Sequence, residues 1–191
     1  MTPLYFAAQS GHEAVVRALL EAGTDVNKAV DKGGTALYIT AQEGHETIVR
    51  ELIEAGADIN KARDNGMTPL YAPAQDGHET IVRALIEAGA DVIQAKGDDA
   101  TPLLMAAQRG HDTMVRALIV AGADLNKTKD VGVTPLILAA HQGHETVVRV
   151  LIELGADVNK ATDNGWTPLS IVSAHYGKEA IVQILKAAGA V

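Results

Sequence analysis

From Glu13 to Glu21 the apolar residues Val15, Val16, Leu19 and Leu20 fall on one stripe of an α-helix, with charged residues on the other side. A shorter apolar set, Leu4, Ala7 and Ala8, precedes it and stops at Gly11. Thr2 offers a side-chain oxygen for an N-cap. Pro3 takes the first helical position, where its fixed φ and missing N–H cost nothing. Gly11 can end the first helix with a positive φ, and Gly23 stops the second. The polar stretch from Asp25 to Gly34 predicts a hairpin-like loop before Thr35 starts the pattern again.

The pattern then repeats. Thr2, Thr35, Thr68, Thr101, Thr134 and Thr167 are spaced by 33 residues, five followed by Pro-Leu and the sixth by Ala36-Leu37. Gly11-His12, Gly44-His45, Gly77-His78, Gly110-His111 and Gly143-His144 keep the same step. So do Gly23-Thr24-Asp25, Gly56-Ala57-Asp58, Gly89-Ala90-Asp91, Gly122-Ala123-Asp124 and Gly155-Ala156-Asp157. Six helix pairs are predicted, in units near 2–34, 35–67, 68–100, 101–133, 134–166 and 167–191. Helices of about ten residues are marginal alone. Each buried Leu or Ile contributes roughly 1.5–3 kcal/mol, so a unit folds only by burying its stripe against the next. The expected fold is an all-α repeat solenoid, a single domain over residues 1–191.

The period and the Thr-Pro-Leu signature resemble the ankyrin-repeat family over essentially the whole chain. The resemblance implies helix–turn–helix pairs joined by short β-hairpin-like loops. It implies that the repeated His is structural, bonding to neighbouring loop backbone, and that the domain binds another protein through its concave side. One position departs from the family. The residue after Thr-Pro-Leu is usually His there, and here it is Tyr5, Tyr38, Tyr71, Leu104, Ile137 and Ser170. The first three suggest a tyrosine ladder.

Some units break the pattern. Pro73 stands where Ala7, Ala106 and Ala139 stand, past the tolerated first position, and is expected to kink its helix at a cost of about 3 kcal/mol. Ile93 replaces the Asn of Asn27, Asn60, Asn126 and Asn159, and Asp99 replaces a loop glycine expected to have positive φ. These mark residues 71–100 as the least stable segment. The first unit lacks a preceding loop, which reads as a truncated N-terminal repeat. Lys186, in place of Leu20, Ile53, Ile86, Ile119 and Ile152, reads as a polar C-terminal cap. The last unit has one residue more between Thr167 and Gly177 than the others have between Thr and Gly.

Composition narrows the chemistry. Hydrophobic residues make up 47% and aromatics only 3%, so the core is aliphatic. A net charge of −8 disfavours nucleic acid and anionic membranes as partners. With no cysteine there is no disulfide, zinc-thiolate site or thiol nucleophile, which suits a reducing, cytoplasmic setting. The Gly-His pairs lie on successive layers about 10 Å apart, too far to share a metal. Neither His-Glu-x-x-His nor a phosphate-cradling glycine loop occurs, so no catalytic residue, metal or cofactor is expected. Arg17, Arg50, Arg83, Arg116 and Arg149 each follow an acidic residue by four positions, predicting intrahelical ion pairs on a solvated face.

The expected function is therefore that of a non-enzymatic protein-interaction module with a protein partner. Candidate partner-binding residues at loop tips and exposed first-helix ends are Lys32, Asn65, Met67, Arg109, Val133, His141 and Trp166, within tips that also hold Asp98 and Val131. Trp166 leads them, because Trp is enriched at binding hot spots. Two rival readings are an engineered, consensus-like scaffold without a native partner and a structural or regulatory fragment of a larger protein. Unit similarity favours the scaffold; Pro73, Ile93 and Asp99 argue against it. A monomer is expected, with the exposed first pair available for weak end-on self-association.

Overall fold

The computed structural model describes residues 2–97, 99–174 and 177–191. Among them lie twelve α-helices and no strand. Contacts cluster into two compact units, 1–97 and 98–191.

The first unit holds α1 (Pro3–Gln9) and α2 (Glu13–Glu21), α3 (Ala36–Glu43) and α4 (Glu46–Glu54), and α5 (Tyr71–Asp76) and α6 (Glu79–Glu87). The first helix of each pair packs on the next, α1 on α3 and α3 on α5, and the second helices do the same. The second unit repeats this with α7 (Pro102–Arg109) and α8 (Asp112–Val120), α9 (Pro135–Gln142) and α10 (Glu145–Glu153), and α11 (Pro168–Ser173) and α12 (Glu179–Ala187). The core is aliphatic, as the composition required. Leu37, Ile48 and Leu52 in the first unit, and Leu103, Leu118 and Leu151 in the second, are fully buried.

The local signals act as predicted in five pairs. Thr2, Thr35, Thr101, Thr134 and Thr167 each accept the N–H three residues on. The third pair differs. Tyr71 N–H donates to the Thr68 carbonyl oxygen, and the Thr68 hydroxyl is buried without a partner. Pro73 does not kink a helix interior, as the sequence suggested. The helix starts later, at Tyr71, which puts Pro73 in a first turn where N–H groups have no intrahelical acceptor anyway. The cost moves to the lost cap and the orphaned hydroxyl, about 1–3 kcal/mol.

The Gly-His marker has a geometric cause. The His45 ring lies over Gly11, His78 over Gly44, and His144 over Gly110. A Cβ at these glycines would come within 2.7–2.8 Å of the ring. His45 Nε2–H donates to the Gln9 carbonyl at 3.1 Å, and His144 to that of Gln108 at 2.9 Å. The histidine is thus structural and stitches one pair to the next.

The loop asparagines form a second stitch. Asn60 Nδ2 donates to the Gly89 carbonyl at 3.3 Å while its Oδ1 accepts Asp91 N–H at 2.8 Å, and Asn27 and Asn159 bond alike. Ile93 has no side-chain carboxamide for this stitch and is 60% exposed, its backbone N–H donating to Asp91 Oδ1. Asp99 does take a positive φ of 57°, close to the 78–81° of the loop glycines in register with it.

The arginine ladder is only partly as predicted. Arg50 pairs with Glu46 and Arg83 with Glu79 within one helix. Arg17 instead reaches Glu51, and Arg116 reaches Glu153, on the following second helix. Glu51 stands where the other units have Ala18, Ala84, Ala117 and Val150, so a carboxylate faces back toward α2 only there. Solvent screens such surface pairs, so they add little to stability.

At the first pair, Phe6 and Val15 are both 49% exposed, whereas Ile39 and Ile48 in the same positions are 5% and 0%. Lys186 is exposed, whereas Leu20, Ile53, Ile86, Ile119 and Ile152 in the same position are half-buried. The extra residue of the last unit falls in a stretch whose His175 and Tyr176 lie outside the described residues, as does Asp98.

Candidate functional site

Four of the loops fold back on themselves by similar short turns. Val30 N–H donates to Gly34 O, Arg63 to Met67 O, and Thr162 to Trp166 O, at 2.8–2.9 Å. In the fourth loop Lys129 and Val133 exchange both bonds, an isolated antiparallel bridge. Successive tips are tied by backbone alone. Asp64 N–H donates to Lys32 O at 3.1 Å in the first unit, and Asp163 N–H to Val131 O at 2.9 Å in the second. The bonds between tips are thus made by backbone, while Asn65 Oδ1 and the Thr162 hydroxyl help close their own turns.

In the first unit this brings Lys32, Asn65 and Met67 together. Asn65 Oδ1 accepts Met67 N–H, and its Nδ2 donates to Met67 Sδ at 3.1 Å. Behind them one of the three tyrosines noted in the sequence meets a cation the sequence did not pair with it. The Arg63 guanidinium sits 5.0 Å over the Tyr38 ring, with Nη1 donating to the Tyr38 hydroxyl, which in turn donates to Met67 Sδ. Arg63 aligns with Val30, Lys96, Lys129 and Thr162, and no sequence signal separates it from them. Tyr38 and Tyr71 are buried, and Tyr5 meets Phe6 edge-on with centroids 6.4 Å apart. Burial raises the Tyr5 pKa above its ordinary value, opposed by the nearby Arg63 charge.

In the second unit Val133 and Trp166 take the same position on neighbouring tips. Val133 is half-buried in the bridge and Trp166 is 51% exposed. Val131 joins them, 56% exposed with a φ of +51°. Sequence reading placed Val131 at the tip but gave it no role. The positive φ, the telling feature, is invisible in a valine. Arg109 and His141 lie at the ends of α7 and α9. Arg109 lines a shallow depression with Gln108, Gln142 and His144, and the His141 carbonyl accepts Lys178 Nζ.

Among the described residues no three His, Asp or Glu are grouped to hold a metal ion, and no helix is long and apolar enough to cross a membrane.

A family model described as ankyrin repeats (3 copies) matches residues 4–96 and again 103–191. An ankyrin repeat domain from Acinetobacter baumannii AYE is 31% identical with a TM-score of 0.91, over 99% of this chain and 98% of that one. The human ASB11 ankyrin repeat domain is 26% identical with a TM-score of 0.90, over 100% of this chain and 85% of that one. No curated protein matches the chain. With the capped helix pairs, the histidine stitch and matches that take in nearly every residue, the chain belongs to the ankyrin-repeat family, whose domains are generally protein-interaction modules.

Proposed function

We propose that this chain is a non-enzymatic, single-domain interaction module that binds a protein partner through its hairpin tips and the adjoining ends of its first helices. The observation that carries the proposal is the exposure of Trp166 and Val131 on tips whose own bonding is all backbone or Thr162 hydroxyl. Large apolar side chains that no core needs are what a recognition surface displays. Lys32, Asn65 and Met67 form a more polar part of the same surface, and Arg109, Val133 and His141 complete it. The acidic net charge favours a protein partner over nucleic acid or an anionic membrane. The chain works as a monomer in a reducing compartment, with Phe6 and Val15 available for weak end-on self-association.

The test is calorimetric. A partner captured from lysate is titrated into wild type and into Trp166→Ala. A loss of at least about 2 kcal/mol, roughly 30-fold in affinity, is expected. Affinity unchanged by Trp166→Ala, Met67→Ala and Arg109→Ala would reject the tip surface.

A further inference from the structure

The two tips that carry Val131 and Trp166 leave about half of each of these large apolar side chains exposed. Val131 adopts φ +51°, a left-handed conformation unfavourable for a β-branched residue, and its exposure means that no burial offsets the strain. Strain kept at an exposed position points to a role outside the fold. Trp166 lies on the next tip, which the Asp163–Val131 backbone bond holds alongside. Thr162 closes that tip by donating its N–H to Trp166 O and accepting Trp166 N–H on its hydroxyl, so Asp163 and Trp166 share one tight turn. The Asp163 carboxylate comes so close to the preceding tip that a Cβ at Gly132 would be 2.9 Å from its Oδ1. Asp130 is exposed beside Val131, and Lys129, half-buried at the base of that loop, is the one cation of the two tips.

We infer that this surface, as part of the interaction role proposed above and resting on it, takes an arginine side chain of the partner polypeptide. A guanidinium is planar and weakly hydrated, so it stacks on an indole face. Its N–H edge donates to carboxylates, here Asp163 and Asp130. Its methylene stem covers an apolar neighbour, here Val131. Lysine lacks the plane, an aliphatic side chain leaves the carboxylates unpaired, and an acidic segment is repelled.

Trp166 is the single tryptophan, so its fluorescence reads this site alone in the intact chain. The chain is titrated with Ac-Gly-Ser-Arg-Ser-Gly-NH2 and with the same peptide carrying lysine or norleucine. The arginine peptide gives a saturable change that weakens with salt. The lysine peptide binds about threefold or more weaker, and norleucine gives no saturable change. Asp163→Asn weakens the arginine peptide by a similar factor. Val131→Asn weakens it while raising the thermal midpoint, because Asn tolerates the left-handed conformation. A Val131→Asn chain that binds as before shows the strain to be unrelated to the ligand and overturns the site. If norleucine binds as well as arginine, the arginine assignment falls while the apolar tip surface stands. No saturable change with any peptide overturns the inference outright, and the interaction role is then judged on the captured partner alone.

Discussion

The tips of Lys32 and Met67 and the tips of Val131 and Trp166 are built on one backbone and carry different chemistry. Both pairs are tied by an Asp N–H donating to the carbonyl of the residue with positive φ, at 3.1 Å from Asp64 and 2.9 Å from Asp163. Lys32 and Val131 hold φ values of +65° and +51°. One tip then displays a flexible cation and the other a branched aliphatic beside an exposed indole. An unbranched lysine tolerates that conformation better than valine, so the second pair sacrifices some stability that the first keeps. The framework dictates where a tip stands, and leaves what it shows to whatever it meets.

Breaking the framework should have the largest effect, and the same one in both units. Gly44→Ala and Gly110→Ala each force a Cβ into a histidine ring at positive φ. Each is expected to lower stability by about 2–3 kcal/mol in denaturant melts, from the strained conformation plus a displaced histidine. A loss below about 0.5 kcal/mol in either would show that the stitch is dispensable there.

At the tips the units should part. Val131→Gly is expected to raise stability by about 1 kcal/mol through relief of strain, and Lys32→Gly to change it by less than about half that. Equal effects on the thermal midpoint would dissolve the contrast between the tips.

Hydrogen exchange sharpens a second comparison, that of α5 with α3. Amides of Tyr71–Asp76 should exchange roughly 10-fold faster than those of Ala36–Glu43, since α5 lacks its threonine cap and is two residues shorter. Matching protection would mean that packing has fully compensated for Pro73.

The smallest effect is on pH dependence. Hydrogen bonds from Thr80 and then Arg50 hold the Glu46 pKa below its ordinary 4.5, and Arg116 does the same for Glu153. A carboxylate with a lowered folded pKa contributes stability that is present above 4.5 and lost as pH falls through the lower value. Glu153→Gln and Glu46→Gln should therefore each slightly flatten the acid limb of a stability profile below pH 4.5 and leave its neutral plateau nearly unchanged. A large drop at neutral pH would show that these exposed pairs matter more than surface pairs do.

Much of this was legible in the letters. The threonine caps, the glycine stops, the aliphatic stripes of α4 and α10 and the positive φ at Asp99 follow from rules that act over a few residues, and a 33-residue period repeats them. What sequence misjudged has a common cause. Pro73 was expected to kink a helix, but α5 packs on α3 and α6 with its start shifted to Tyr71. Arg17 and Arg116 have acceptors both four residues back and across on the next helix, and only the packed geometry chooses between them. In the candidate site Trp166 stood out because it is unique, whereas Val131 and Arg63 did not, and Tyr38 was noted only within a tyrosine series, their significance lying in a dihedral angle and a stacked ring.

The sequence by itself determined the repeating helix pair, its boundaries apart from the start of α5, and the aliphatic faces that must be covered, because capping, chain reversal and amphipathic spacing are local and each is written in residue type. Tertiary structure alone decided which histidine covers which glycine, where the arginines pair, and which tip side chains are left over once backbone bonds are made. Those outcomes depend on distances between residues some thirty positions apart, set by packing one pair on the next, and no single stretch of sequence encodes them.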